Sequence, residues 1–248
     1  MADHESEPIH GDSPAFTTTH WSIVLASRAA DPARSAVALE ELCRRYWFPL
    51  YAFARREGRR PEDAQDLTQG FFHHLLSRGG LMQVDPSKGR FRTFLLTSFR
   101  HFAGDQGDRE RALKRGGGSV LVSWDAVEAE ERYIAAPAGG PAAEESFDRD
   151  WAWETLRQAL GRLRREQEGR GNAAAFSRLE PYLTGEPPVG FYEQLSAAAG
   201  RTEAALRVEM HRLRQRLGEL LRESVAATVA HPGDVADEIR HLRDLLAG

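Results

Sequence analysis

Toward one end of the chain, Arg201, Thr202, Arg207, His211, Arg212, Arg214 and Arg216 fall within a single short stretch. Long cationic side chains and an imidazole at this density break no bonds by themselves; they hold polyanions. Guanidinium groups neutralise phosphates, and some reach base edges in a major groove. The same pattern also describes a solvated basic face on an ordinary core helix, and this segment alone leaves both readings open.

The elements that must carry these residues can be read around them. Residues 191–199 make a short amphipathic helix with Leu195 and Ala198 facing inward, and Gly200 takes a turn. Thr202 is placed to cap a second helix, whose buried stripe is Leu206, Met210, Leu213 and Leu217. Arg207, His211, Arg212, Arg214 and Arg216 then lie on the opposite face. The pattern is that of a helix-turn-helix.

A second cationic stretch contains Lys88, Arg90, Arg92, Arg100, Arg109, Arg111, Lys114 and Arg115 against only Asp105, Asp108 and Glu110. It is interleaved with Phe91, Phe94, Phe99 and Phe102. Rings among arginines either pack a core or stack on unpaired bases. The helical spacing of Phe94, Phe99 and Phe102 favours the core, and Arg100, His101, Arg109, Arg111, Lys114 and Arg115 are read instead as the candidate DNA side.

Other chemistry is thinly represented. No glycine-rich phosphate loop, metal-ligand spacing or nucleophile elbow occurs, so an enzyme is not expected and neither is a cofactor. Adjacent His73 and His74 would point about a quarter-turn or more apart on a helix and cannot both face one ion. The lone cysteine, Cys43, sits in an apolar helical pattern and reads as a core thiol.

The chain has 248 residues and a formal charge of −4, so any nucleic-acid contact must come from local basic patches. Its first residues are polar and acidic rather than cationic and then apolar, and no run approaches membrane-spanning length. A cytoplasmic protein without a membrane partner or small-molecule substrate is expected.

The periodicity predicts an all-α fold of two small helical domains joined by a flexible linker. Residues 1–15 lack periodicity, and a short helix is expected at 21–28. Residues 16–115 form the first domain, with a turn at 85–89. Residues 116–146, rich in Gly, Ala, Pro and Glu, read as the linker; within them only 119–124 alternates in the manner of a strand. Residues 147–230 form the second domain, and 231–248 an amphipathic extension. In that extension Ile239, Leu242, Leu245 and Leu246 oppose Glu238, Arg240 and Arg243.

The sequence Asp63-Ala-Gln-Asp66-Leu67-Thr-Gln69-Gly-Phe71-Phe72, taken with the helix-turn-helix, resembles a sigma factor of bacterial RNA polymerase. The likeness is to the small extracytoplasmic-function type and, in detail, to a planctomycete-like subgroup. It covers most of residues 36–115 and 151–223. In that family the Asp-Ala-Glu-Asp-Leu-x-Gln-Glu-x-Phe helix docks on the polymerase beta-prime coiled coil. The resemblance therefore implies that Asp63, Asp66, Leu67, Gln69 and Phe72 bind core polymerase, with Gln65 and Gly70 departing from the pattern.

By the same resemblance, residues 89–105 correspond to the promoter-melting and minus-ten segment, with His101 where many relatives carry Asn. A loop at 107–117 would receive one flipped base. Arg201, Thr202, Arg207, His211, Arg212 and Arg214 would read the upstream, minus-thirty-five element. Promoter DNA and core polymerase are the implied partners, and an anti-sigma factor or other regulator is a further class that the resemblance admits. A stand-alone helix-turn-helix regulator is the alternative on the same residues.

Overall fold

A computed structural model describes residues 32–76, 90–112, 126–135, 142–229 and 231–247, and every element among them is helical. The helices are α1 (Pro32–Arg56), α2 (Pro61–Leu76), α3 (Phe91–Ala112), α4 (Ala126–Ala135), α5 (Ala143–Gly169), α6 (Ala173–Leu179), α7 (Phe191–Ala199), α8 (Glu203–Ala226) and α9 (Val235–Ala247). Two short 3-10 turns, Glu180–Tyr182 and Pro232–Asp234, precede α7 and α9. The expected helix at 21–28, the turn at 85–89 and the alternating stretch at 119–124 lie outside the described residues.

Local sequence accounts for most boundaries. Pro61 opens α2 with a preset φ, and Glu62 and Asp63 meet the positive end of its dipole. Gly58 takes φ 85° between α1 and α2, a left-handed conformation that favours glycine. Gly200, at φ 62°, ends α7 in the same way.

Two apolar clusters organise the helices. The first collects Tyr46, Leu50, Phe71, Phe91, Leu95 and Phe99 from α1, α2 and α3. Within it Phe71 and Phe99 meet edge to face, their centroids 5.2 Å apart. The second collects Phe176, Leu179, Leu183, Leu195, Leu206, Met210, Leu213 and Leu217. Cys43 is buried in the first cluster, and burial pushes its thiol up to about 12, as suits a core thiol.

Helix α5 belongs to both clusters. Phe147, Trp151 and Ala152 complete the first, whereas Leu156, Ala159 and Leu163, farther along the same stripe, enter the second. Val225 at the end of α8 and Leu242 of α9 also join the first. Part of the segment read as a linker is ordered as well: α4 is tied to α1, with Arg55 Nη2 donating to Glu130 Oε1 at 2.7 Å and Tyr51 Oη to Glu130 Oε2 at 2.5 Å.

Buried charge also ties α3 to α5 and α9. Glu238, read from sequence as part of the polar face of α9, is 1% exposed and paired with Arg92, itself 3% exposed. Arg92 Nε also donates to Asp148 Oδ1 at 2.9 Å, and its guanidinium lies 4.5 Å from the centroid of the Trp151 ring. Arg90 Nε reaches Glu238 Oε2 at 3.0 Å, and His241 Nε2 stands 3.7 Å from Asp148. The Phe91 amide donates to the Thr228 carbonyl, so the start of α3 is held by residues from α5, α9 and the turn after α8.

Candidate nucleic-acid interface

The interface is built on a helix, a glycine turn and a long helix. Gly200 reverses the chain after α7, and the Ser196 hydroxyl donates to the Arg201 carbonyl at 2.6 Å. Thr202 adopts extended backbone as the N-cap of α8, its Oγ1 accepting from the Ala205 amide at 3.2 Å. Leu206, Met210, Leu213, Leu217 and Leu220 are buried along α8, and this fixes which side of the helix faces solvent. That side carries Ala204, Val208, His211, Arg212 and Gln215, all exposed.

The cations around α8 differ in what they already hold. Arg214 Nη2 donates to the Tyr182 carbonyl at 2.9 Å and the Gly185 carbonyl at 2.5 Å, clamping the segment before α7. Arg216 grips Glu166 of α5 through two bonds of 2.8 and 3.0 Å and also meets Glu219. These carboxylates hold its guanidinium well above its usual range, Glu166 contributing most. Both were expected on the open basic face, and both instead lie on its flanks and tie neighbouring segments down. Their positions beside the apolar stripe bring them within reach of those segments.

Arg207 pairs with Glu203 at 3.3 Å and lies over the Tyr192 ring at 4.1 Å, joining α8 to α7. Arg201 is paired with Glu209. Thr202 spends its side-chain oxygen on the cap. His211 and Arg212 have no hydrogen-bond or ion-pair partner among the described residues and stand in solvent.

The first cluster treats its cations differently. Arg100 is exposed but paired with Glu144, its guanidinium 5.3 Å from the Phe53 ring centroid. His101 is exposed on α3. The loop expected from Gly107 continues α3 as far as Ala112. Arg109 and Arg111 thus fall on its last turns, with their side chains outside the described set, and Lys114 and Arg115 lie outside the described residues. Phe99 and Phe102 are buried and Phe94 half-buried, in keeping with a packing role.

The α2 motif divides by helical face. Asp63 and Asp66 are exposed, and Arg60 donates to Asp63 at 3.0 Å, holding its carboxyl below the usual range. Leu67 and Phe72, expected as exposed apolar contacts, are instead 7% and 3% exposed in the first cluster, where the α2 stripe meets α1 and α3. Gln69 is half-buried, with its Nε2 enclosed and without a hydrogen-bond partner among the described residues. A Cβ at Gly70 would lie 3.4 Å from the Phe102 ring, in ordinary contact.

Sequence reasoning did not single out Arg170 or Asn172, which lie at the turn after α5 and line a cleft beside α8. Their one local signal is a Gly-Arg-Gly-Asn run, which marks a turn but not a site. Among the described residues no group of three or more His, Cys, Asp or Glu is placed to hold a metal ion, and no helix is long and apolar enough to cross a membrane. Compared with protein-family models, curated proteins and solved structures, the chain matches none of them.

Proposed function

We propose that the protein is a sigma-type initiation factor that directs bacterial RNA polymerase to promoters through sequence-specific DNA binding. The observation that carries the reading is the solvent face of α8, where His211 and Arg212 stand without partners among the described residues beside Ala204 and Val208, on a helix set by a glycine turn and a threonine cap. A helix so presented fits a major groove, cations meeting phosphates or base edges and small apolar groups meeting thymine methyls. Arg100, His101, Arg109, Arg111, Lys114 and Arg115 form the candidate second, minus-ten contact, in which His101 is exposed and Arg100, also exposed, must first release Glu144. Asp63 and Asp66 offer core polymerase an acidic edge. The reaction is the polymerase's own, and this chain contributes placement rather than catalytic groups.

Reconstitution with core polymerase tests the reading. The expected result is a stoichiometric complex that initiates run-off transcription from a selected promoter, and that loses most of this activity in a His211→Ala, Arg212→Ala double variant. Failure to associate with core polymerase in the presence of template rejects it. The burial of Leu67 and Phe72 narrows the surface that α2 offers a coiled coil, and this favours a second reading, a stand-alone regulator using the same α8 face. Such a regulator binds two half-sites as a dimer without polymerase. A dimer on DNA and no polymerase complex would select it.

A further inference from the structure

Between the C-terminal end of α5, the turn that follows it and the first half of α8 lies a cleft of about 700 Å3. Arg170, Asn172, Arg201, Val208, Arg212 and Arg216 are among its lining residues. Arg216 is already held by Glu166 and Glu219, and Arg201 by Glu209, the one carboxylate in the lining. Arg170 and Arg212 remain. They come from different elements and line the same opening, both are exposed, and neither guanidinium has a hydrogen-bond or ion-pair partner among the described residues.

Arg216 above all, helped by Arg170, holds the Glu166 carboxyl below its usual range, but Glu166 is already bonded to Arg216, so the arginines around the opening outnumber the carboxylates and the opening favours an anion. The shape favours an extended anion over a compact one. Ala204, Ala205 and Val208 line the cleft and are exposed, so it merges with the solvent face of α8. A helix seated in a major groove about 12 Å wide has a sugar-phosphate chain along each flank. On one flank of α8 stands Arg207 over Tyr192 of α7, and the cleft occupies the other.

We infer that this cleft seats the DNA strand running along α8 on the side away from α7, with Arg170 and Asn172 contacting its phosphates from outside the helix-turn-helix. The inference rests on the DNA-binding part of the proposed function and adds a contact that sets register and affinity rather than sequence preference. Asn172 Nδ2 lies 3.5 Å from Gln167 Oε1, a weak contact that leaves its amide able to turn toward a phosphate oxygen.

The test titrates the full chain, as wild type, Arg170→Ala and Arg170→Lys, with a selected duplex and a scrambled duplex over a range of salt. Arg170→Ala is expected to weaken both duplexes by the same factor, on the order of 5-fold, and to reduce the slope of log K against log salt by about 0.9. Arg170→Lys, which keeps the charge, should restore the slope, and circular dichroism of all three proteins should coincide. Wild-type binding with an unchanged slope in Arg170→Ala overturns the inference and leaves the α8 reading standing. If wild type binds neither duplex, the α8 reading and the inference fall together. If inorganic phosphate raises the melting temperature of wild type but not of Arg170→Ala, while duplex binding is equal in both, the cleft is a small-anion site and the inference is likewise overturned.

Discussion

The cationic stretch on α3 and the one on α8 look alike in sequence and, among the described residues, differ in what their charges face. On α3, Arg92 is sealed between Asp148 and Glu238, and Arg100 is matched by Glu144. Just before the helix, Arg90 meets Glu238. On α8, Arg214 is held by backbone carbonyls and Arg216 by carboxylates, but His211 and Arg212 remain in solvent, and Arg170 adds a second guanidinium without a side-chain partner among the described residues. A linear count of arginines thus measures charge without measuring its availability to a polyanion. The deciding carboxylates are distant in sequence: Glu238 is 146 positions from Arg92.

The sharpest way to break this comparison is to unseal the α3 network. Glu238→Ala leaves the Arg92 guanidinium buried beside Asp148 alone, and the expected cost is about 3–5 kcal/mol, a melting temperature lower by roughly 10 °C. Calorimetry on Arg92→Met with Glu238→Leu should recover much of that loss, because an apolar pair of similar volume needs no desolvation of charge. A single variant that melts within a degree or two of wild type would mean that the network is not buried in solution.

Next in size is the contrast in DNA affinity. Arg212→Ala should weaken duplex binding on the order of 10-fold and flatten its salt dependence, whereas Arg100→Ala, whose partner Glu144 must first let go, should change it less than about 2-fold. Anisotropy titrations of both variants decide this, and equal losses would show that Glu144 yields its arginine readily. Thr202→Ala removes the cap of α8 and should cost about 1 kcal/mol with the same fold retained, visible as a small shift in thermal melting.

The smallest effect concerns pH. Burial and the neighbouring Arg92 and Arg90 hold His241 below its usual value of 6.5, against the opposing pull of Asp148. The folded state therefore binds fewer protons there than the unfolded state, so stability is full above the unfolded value and falls as pH drops through 6.5 toward the lowered one. Between neutral and mildly acidic pH the melting temperature of wild type should fall by more than that of His241→Asn, which lacks the titrating group.

Much of α8 was legible because its cause is local. The Leu206, Met210, Leu213 and Leu217 stripe and the Thr202 cap lie within a few turns of one another, and the structure places them as the spacing dictates. The extension at α9 was legible as a helix for the same reason. Its chemistry was not, because Glu238 sits among charges on the helix and only a partner on α3 makes it a buried residue. Trp151 and Leu156 share one apolar stripe, and periodicity cannot say that the first enters one cluster and the second another. Helix α4 was hidden by glycine and proline on either side of it, and its anchors, Tyr51 and Arg55, belong to α1. The candidate site was half legible: His211 and Arg212 emerge from spacing, while Arg170 enters only through the turn that brings α5 back beside α8.

The state of Cys43 has a practical consequence for all of this. It is the chain's single cysteine, it is buried, and with its thiol pushed up to about 12 it carries almost no thiolate at neutral pH. Alkylating dyes should therefore pass the native chain by. One new cysteine, at exposed Glu168 near the arginine cleft or at exposed Asp105 on α3, becomes a sole attachment point for a fluorophore, and nearby DNA can be watched from each position in turn with the proposed contacts left in place.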